Sequence, residues 1–300
     1  MTQRERGMIH NTGYWQDAWR YLCRDRFAIL GAVIVGGLII VAVLAPYLAP
    51  YGSSRQFREG LTEKGMPLFS NRRFWLGTDQ MGRDLLSRML IGARISVMIG
   101  ILANVLAVLL GIVLGAGAGF VGGWVGNVIM RFVDIFLSFP VFLLAVILLA
   151  VSKPSPLTVT VTIGAVYSVY LGRIVYSQTV SIKERLFVLA ARSVGARGLR
   201  ILVRHVLPHL VSVLLVFFTL SVGSAIMLEA TLSYVGIGVQ PPTPTWGNMI
   251  SEGQYYYRSA PWLVIYPGLG IMLTVLGFNM LGDGLRDALD PTSQQLMRRQ

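Results

Sequence analysis

Residues 28–48 read Ala-Ile-Leu-Gly-Ala-Val-Ile-Val-Gly-Gly-Leu-Ile-Ile-Val-Ala-Val-Leu-Ala-Pro-Tyr-Leu, without one charged side chain. That length matches the roughly 20 residues a helix needs to cross the hydrocarbon core of a bilayer. Comparable runs recur at about 97–121, 132–151, 157–179, 210–232 and 262–282. The sequence therefore predicts an all-α, polytopic integral membrane protein with six transmembrane helices. The first run is longer than the apolar stretch of a signal peptide and no small-residue cleavage pattern follows it, so it reads as a retained anchor.

Composition agrees. The chain has 300 residues, 54% of them hydrophobic and only 13% charged, which is too apolar for a soluble domain of that size. The net charge of +12 comes mostly from Arg: only 3 of the 26 basic residues are Lys, and they cluster in short segments between apolar runs. That placement suits membrane lipid headgroups or an acidic partner, and no motif of a nucleic-acid binder accompanies it. Cys23 is the sole cysteine, so no internal disulfide supports the fold.

The runs divide the chain into a cytoplasmic N-terminal segment (1–27), a first transmembrane helix with its loop (28–95), a five-helix core (96–283) and a tail (284–300). In the N-terminal segment, Tyr14, Trp15, Trp19 and Tyr21 among scattered Arg suit a helix in the headgroup region, with a disordered tail as the alternative. Six spans put both termini on one side. The segments on that side carry 5, 1, 6 and 3 basic residues against 8, 1 and 1 opposite, which favours cytoplasmic termini. Gly111, Gly115 and Gly119 recur every four residues on one stripe of the second span, where small residues let another helix approach closely.

The basic segment 181–209 is too polar for lipid yet patterned. Leu186, Leu189, Ala190, Ser193 and Val194 fall on one stripe of a short helix; Gly195 interrupts it. Beyond, Leu199, Leu202, Val203 and Val206 share a face opposite Arg197, Arg200 and Arg204, and Pro208 is expected to close the helix before the fifth span. Two such helices make either a knob that passes force to a soluble partner or a pair floating on the membrane surface.

Leu189-Ala190-Ala191, then Gly195, then His205-Val206-Leu207-Pro208 resembles the cytoplasmic signature loop of bacterial binding-protein-dependent ABC importers, written EAA, three residues, G, nine residues, I-x-L-P. Leu189 stands where that family often has Glu, and His205 where it often has Ile. The segments Leu76–Asp79, Gly82–Asp84, Ser87-Arg88, Gly92–Arg94, Glu229-Ala230, Gln240–Pro244, Trp246-Gly247 and Gly282–Pro291 are similar to the second permease of dipeptide and oligopeptide importers. The resemblance implies a type I ABC importer permease fold, a second homologous permease subunit, two ATP-binding-cassette ATPase subunits that bind ATP and Mg, and an extracytoplasmic substrate-binding protein. It also implies that Leu189, Ala190, Ala191, Gly195, His205, Leu207 and Pro208 form the ATPase-coupling loop (181–208), with small residues seating the knob in its partner. Glutathione and nickel importers have similar permeases, so cargo stays open, with a peptide expected.

The chain itself has no Gly-x-x-x-x-Gly-Lys-Ser/Thr, so no cofactor and no ATPase activity are expected in it, and hydrolysis belongs to other chains. No catalytic residue is assigned: His-Glu-x-x-His and Gly-x-Ser-x-Gly are absent too. His205 and His209, four apart, lack further ligands at metal-site spacing. Glu229 near the outer end of span five reads as a gate or subunit contact or as an interface-snorkelling carboxylate; Trp246 is assigned to the same candidate gate. Arg173 in span four reads as pathway-lining or as reaching the cytoplasmic surface. The loop 236–246 reads as a lid or a plain connection. A secondary transporter is the rival of another class, but repeated halves and broken mid-membrane helices are not evident in the sequence.

Overall fold

The structure, a computed structural model, describes residues 14–290; the first thirteen residues of the N-terminal segment and the last ten of the tail lie outside it. The described chain is built from helices: Tyr14–Leu22 (α1), Arg26–Leu48 (α2), Leu85–Val121 (α3), Gly123–Leu137 (α4), Val141–Ala150 (α5), Pro156–Lys183 (α6), Leu186–Ser193 (α7), Gly198–Ile201 (α8), Leu207–Tyr234 (α9), Trp246–Gly253 (α10) and Trp262–Leu289 (α11). Five runs are long and apolar enough to cross a membrane: α2, α3, α6, the continuous stretch Gly198–Tyr234, and α11. A sixth crossing is the pair α4 and α5, bent by 94°.

Three expectations about the spans change. The run 132–151 is not one straight helix. Pro140 has no N–H to donate and disfavours helix at Phe139, so α4 ends on Ser138, whose hydroxyl donates to the Ile135 carbonyl at 2.6 Å. The second span begins at Leu85 rather than near 97: Asp84 caps it, its carboxylate accepting from Ser87 N at 2.8 Å. Pro208 does not end a helix. A π-turn over Leu202–Val206, in which Leu207 N–H donates to Leu202 O, carries the chain past the proline into α9.

Lipid supplies no hydrophobic drive for one helix to join another, so backbone closeness matters. The glycine stripe of α3 packs on α6. A Cβ at Gly115 would fall on the Gly172 carbonyl oxygen; one at Gly119 would lie 2.9 Å from the Thr179 side chain, and one at Gly111 2.9 Å from that of Leu171. The approach is mutual, since a Cβ on Gly164 of α6 would lie 2.9 Å from the Ala103 carbonyl. On the other side of the bundle α2 packs on α11, with Gly277 against Ile34 and Gly31 against the Gly277–Leu281 turn. The outward face of α2 leaves Ile29, Val33, Ile40 and Val43 exposed, as a lipid-facing surface requires.

The 49–84 loop is a small ordered structure. Tyr51, Phe57 and Phe74 stack edge to face with centroids 4.9 and 5.3 Å apart. Behind them lies a buried ionic cluster. Arg83 Nε is 2.5 Å from Asp79 Oδ2, and terminal nitrogens of Arg83 and Arg88 lie 2.8 and 2.9 Å from Glu252 Oε2. Arg88 Nε is 3.2 Å from Asp79, and Gln80 donates to Glu252 at 2.8 Å. Two cations and two anions balance, so the loop and the head of α3 are pinned to α10.

Two outcomes follow for purified protein unfolded by heat in mild detergent. Gly115→Leu has no room and loses stability by at least the roughly 1–3 kcal/mol typical of overpacking, whereas Gly36→Leu, where a Cβ meets nothing within 4 Å, stays near wild type. Glu252→Gln leaves two buried guanidiniums facing one carboxylate and costs about 3–5 kcal/mol, the range for breaking a buried ion pair; an unchanged melting temperature would contradict the cluster's role.

Candidate functional site

Between α6 and α9 the chain leaves the bundle as α7 and α8, and Gly195 makes the corner. Ala196 N–H donates to Ala191 O at 3.1 Å and Gly195 N–H to Arg192 O at 3.0 Å, the paired bonds of a Schellman helix end. Gly195 takes the left-handed residue at φ +83°, and a Cβ there would meet nothing within 4 Å. The glycine is needed for its backbone conformation and not, within this chain, for space. The accompanying apolar contact of such a helix end is made by Ala191 and Ala196, both packed into the cluster below.

That cluster seats the knob on the end of the α3–α6 pair. Val188, Ile201, Val206 and Leu210 are buried against Ala116, Leu171, Val175 and Ile182, with Leu207 partly buried beside them. Lys183 Nζ donates to the Phe120 carbonyl at 2.7 Å, tying the last turn of α6 to that of α3, and Phe120 lies against Gly198. Phe187 of α7 stacks on His209 of α9 at 4.9 Å, and His209 Nδ1 bonds to the His205 carbonyl at 2.7 Å. The His209 ring therefore braces α7 against the start of α9.

The apolar stripe read from the sequence faces the other way. Leu186 is 84% exposed, Val194 89% and Leu199 73%, with Leu189, Ala190 and Val203 also exposed. Val188 and Ala191, between them, are the residues turned inward. Likewise Leu199 and Val203 part from Val206, which is fully buried, and Leu202, which is half-buried. Arg192, Arg197, Arg200, Arg204 and Pro208 are exposed around them. The knob thus presents a bare apolar surface ringed by guanidiniums.

At the other end of α9, Glu229 does not snorkel. It is 0% exposed, and its two oxygens accept from Ser96 Oγ at 3.2 Å and Ser233 Oγ at 2.7 Å. Each serine hydroxyl in turn accepts a loop N–H: Ser96 that of Trp246 at 3.3 Å, Ser233 that of Val239 at 3.1 Å. One carboxylate therefore orients two hydroxyls that fasten the 236–245 loop to α3 and α9. Trp246 is buried as well, its indole N–H donating to the Met89 carbonyl at 3.3 Å and its ring packed on Gly270. Neither side chain reaches the surface of this chain. Arg173 does not reach the Lys183 end of α6 but pairs with Asp134 of α4 at 3.5 Å.

Sequence reading missed the partners. Asp79 and Arg83 stood in recognised segments, but nothing local to either pointed to Glu252, 169 residues beyond Arg83. The Lys183 tie and the Phe187–His209 stack were equally silent.

Comparison with known proteins agrees with this geometry. Residues 107–295 match the family described as binding-protein-dependent transport system inner membrane component, and residues 13–62 match the N-terminal transmembrane domain of oligopeptide transport permease C. The chain is 42% identical over 278 residues to a glutathione transport system permease protein of Shigella flexneri, covering 92% of this chain and 90% of that one. It is 39% identical over 277 residues to a dipeptide transport system permease protein of Alkalihalophilus pseudofirmus, with the same coverage. Among solved structures, a chain of the MetNI methionine ABC transporter in an inward-facing conformation shares the fold at a TM-score of 0.55 and 16% identity, over 68% of this chain and 96% of that one. The chain belongs to the binding-protein-dependent transport system inner membrane component family, the multi-pass permease subunits of ABC importers.

Proposed function

We propose that this permease forms half of the translocation pathway for short peptides, pairing with a second, homologous permease. In this reading two ATPase subunits, binding ATP and Mg, grip the knob, and an extracytoplasmic binding protein delivers cargo. The observation that carries it is the bare face of Leu186, Val194 and Leu199, a surface a water-facing loop has no reason to expose. The guanidiniums around it suit an acidic rim on the partner. Cargo follows from the relatives, whose names specify glutathione and dipeptides, both short peptides.

The knob supports a lever. Its inner face packs through Val188, Ile201 and Val206 on the ends of α3 and α6, which Lys183 ties to each other, and its far end runs through the π-turn into α9 without a hinge loop. A push on α7 by closing ATPases would reach α3, α6 and α9 together, and α9 carries Glu229, the anchor of the loop at its opposite end. In this reading Glu229 and Trp246 hold the gate side of the pathway from within the chain. The termini and the knob lie at the cytoplasmic face, as the basic-residue count favours.

The test is ATP-driven peptide uptake by the reconstituted complex. Leu199→Asp puts a charge on the bare face and should cost co-purification of the ATPases without loss of the permease from the membrane. Gly195→Val forces a β-branched residue into left-handed backbone, at about 1–2 kcal/mol or more, and should cut uptake at least tenfold, that strain being worth about one decade of an equilibrium. Gly195→Asn, which tolerates that conformation, should recover part of it. Normal uptake in Gly195→Val would contradict the lever.

A further inference from the structure

Helix α4 carries three distinct stripes. Gly126, Met130 and Val133 are buried against Ala118 of α3 and Val169 and Tyr176 of α6. One residue on from each, Asn127, Arg131 and Asp134 follow the same i, i+4, i+7 spacing and are exposed or half-exposed. On the other flank, Val125, Phe132 and Phe136 are exposed and wholly apolar. A helix lying in uniform lipid has no cause to make its two exposed flanks differ in this way.

The polar flank lies deep. Gly122, where α4 begins, sits beside Lys183, where α6 ends, so both helices start from one face of the membrane. Counting from that shared end at 1.5 Å per residue, Asp134 lies about 17 Å along α4 and Arg173 about 15 Å along α6; the 28 residues of α6 outrun the roughly 30 Å hydrocarbon core by a turn or so at each end, which leaves both side chains inside it. The two depths agree and the side chains meet, 3.5 Å apart, with Arg173 48% and Asp134 39% exposed. Arg173 also lies over the Tyr176 ring, 5.9 Å from its centroid. Helix α6 is the least apolar of the five long spans, and its exposed face below Arg173 is Ile174, Ser177, Gln178 and Ser181. Half-exposed charges at that depth are expensive against lipid and are found facing a bundle interior or water.

Resting on the importer reading above, we infer that the α4–α6 polar flank, centred on Arg173 and Asp134, lines the aqueous pathway, while the Phe132 flank faces lipid. The wall carries two guanidiniums, Arg131 and Arg173, and one carboxylate. The pair is loose and half exposed, so guanidinium donors remain free. A wall of this charge takes a zwitterionic cargo by its carboxylate, the group a short peptide always presents at its C-terminus.

The experiment is thiol accessibility in the complete reconstituted transporter, in a Cys23→Ser parent. Arg131→Cys, Ser177→Cys and Asp134→Cys should each be labelled by the membrane-impermeant 2-sulfonatoethyl methanethiosulfonate, and labelling should abolish uptake. Phe132→Cys, one residue from Arg131, should be labelled only after denaturation. At Ser177→Cys, where the ion pair is intact, the sulfonate reagent should outpace its trimethylammonium counterpart once each rate is divided by that with a free thiol. Arg131→Cys and Ser177→Cys break no ion pair of the structure, so loss of folding in Asp134→Cys leaves the test standing. If these positions react only after denaturation, the flank is lipid-facing or sealed by a subunit and the inference fails. A faster trimethylammonium reagent overturns the carboxylate preference. Labelling is read independently of uptake, so absence of ATP-driven uptake in the parent would refute the importer reading while the labelling still decides the flank.

Discussion

The contact on which the rest of the molecule depends is the close approach of α3 and α6 over Gly111, Gly115 and Gly119. Oily side chains gain nothing by leaving lipid for a protein interior, so two spans hold together by backbone packing of the kind a missing Cβ allows. Because Gly115 lies on the Gly172 carbonyl and Gly119 on Thr179, the two helices end level with each other. That common end is where Lys183 can reach the Phe120 carbonyl and where the cluster around Ile201 and Val206 forms. Move the helices apart and the knob loses its floor.

The polar groups at the two ends of α9 are satisfied in different ways. At one end a π-turn absorbs Pro208, widening the helix where an α-turn would clash with the ring. At the other, Glu229 is surrounded by hydroxyls, and the two serines pass the carboxylate's demand for donors on to the N–H groups of the 236–246 segment. A buried carboxylate is tolerable only when donors surround it. The same donors make the loop part of the bundle, so the knob and the loop are joined through one continuous helix.

Much of this was legible in the sequence, and what was not has physical reasons. Span number followed from the length of apolar runs. Direction within a run did not, because the apolar residues on both sides of Ser138-Phe139-Pro140 keep the averaged hydropathy high, and only the proline hints at the 94° turn. The head of α3 was hidden by Ser87, Arg88 and Arg94, although Asp84 directly before Leu85-Leu86 is an N-cap signal. On the knob, helical periodicity correctly grouped Leu186, Leu189, Ala190, Ser193 and Val194 but could not say which way they face. A core stripe and a docking stripe have the same spacing, and here the small residues Ala191 and Ala196 make the inner contact. The Ser96 hydroxyl on Glu229 and the salt bridges of Glu252 join residues more than a hundred positions apart, beyond any local pattern, whereas Ser233 stands only four residues from Glu229 on the same helix.

The central claim is that the exposed apolar face of the knob is an ATPase dock, and a photo-crosslinking amino acid placed at Val194, 89% exposed at the corner beside Gly195, tests it in native membranes. The account predicts a single protein adduct whose sequence contains Gly-x-x-x-x-Gly-Lys-Ser/Thr. Adducts with lipid alone would contradict it, and would make the knob a surface float.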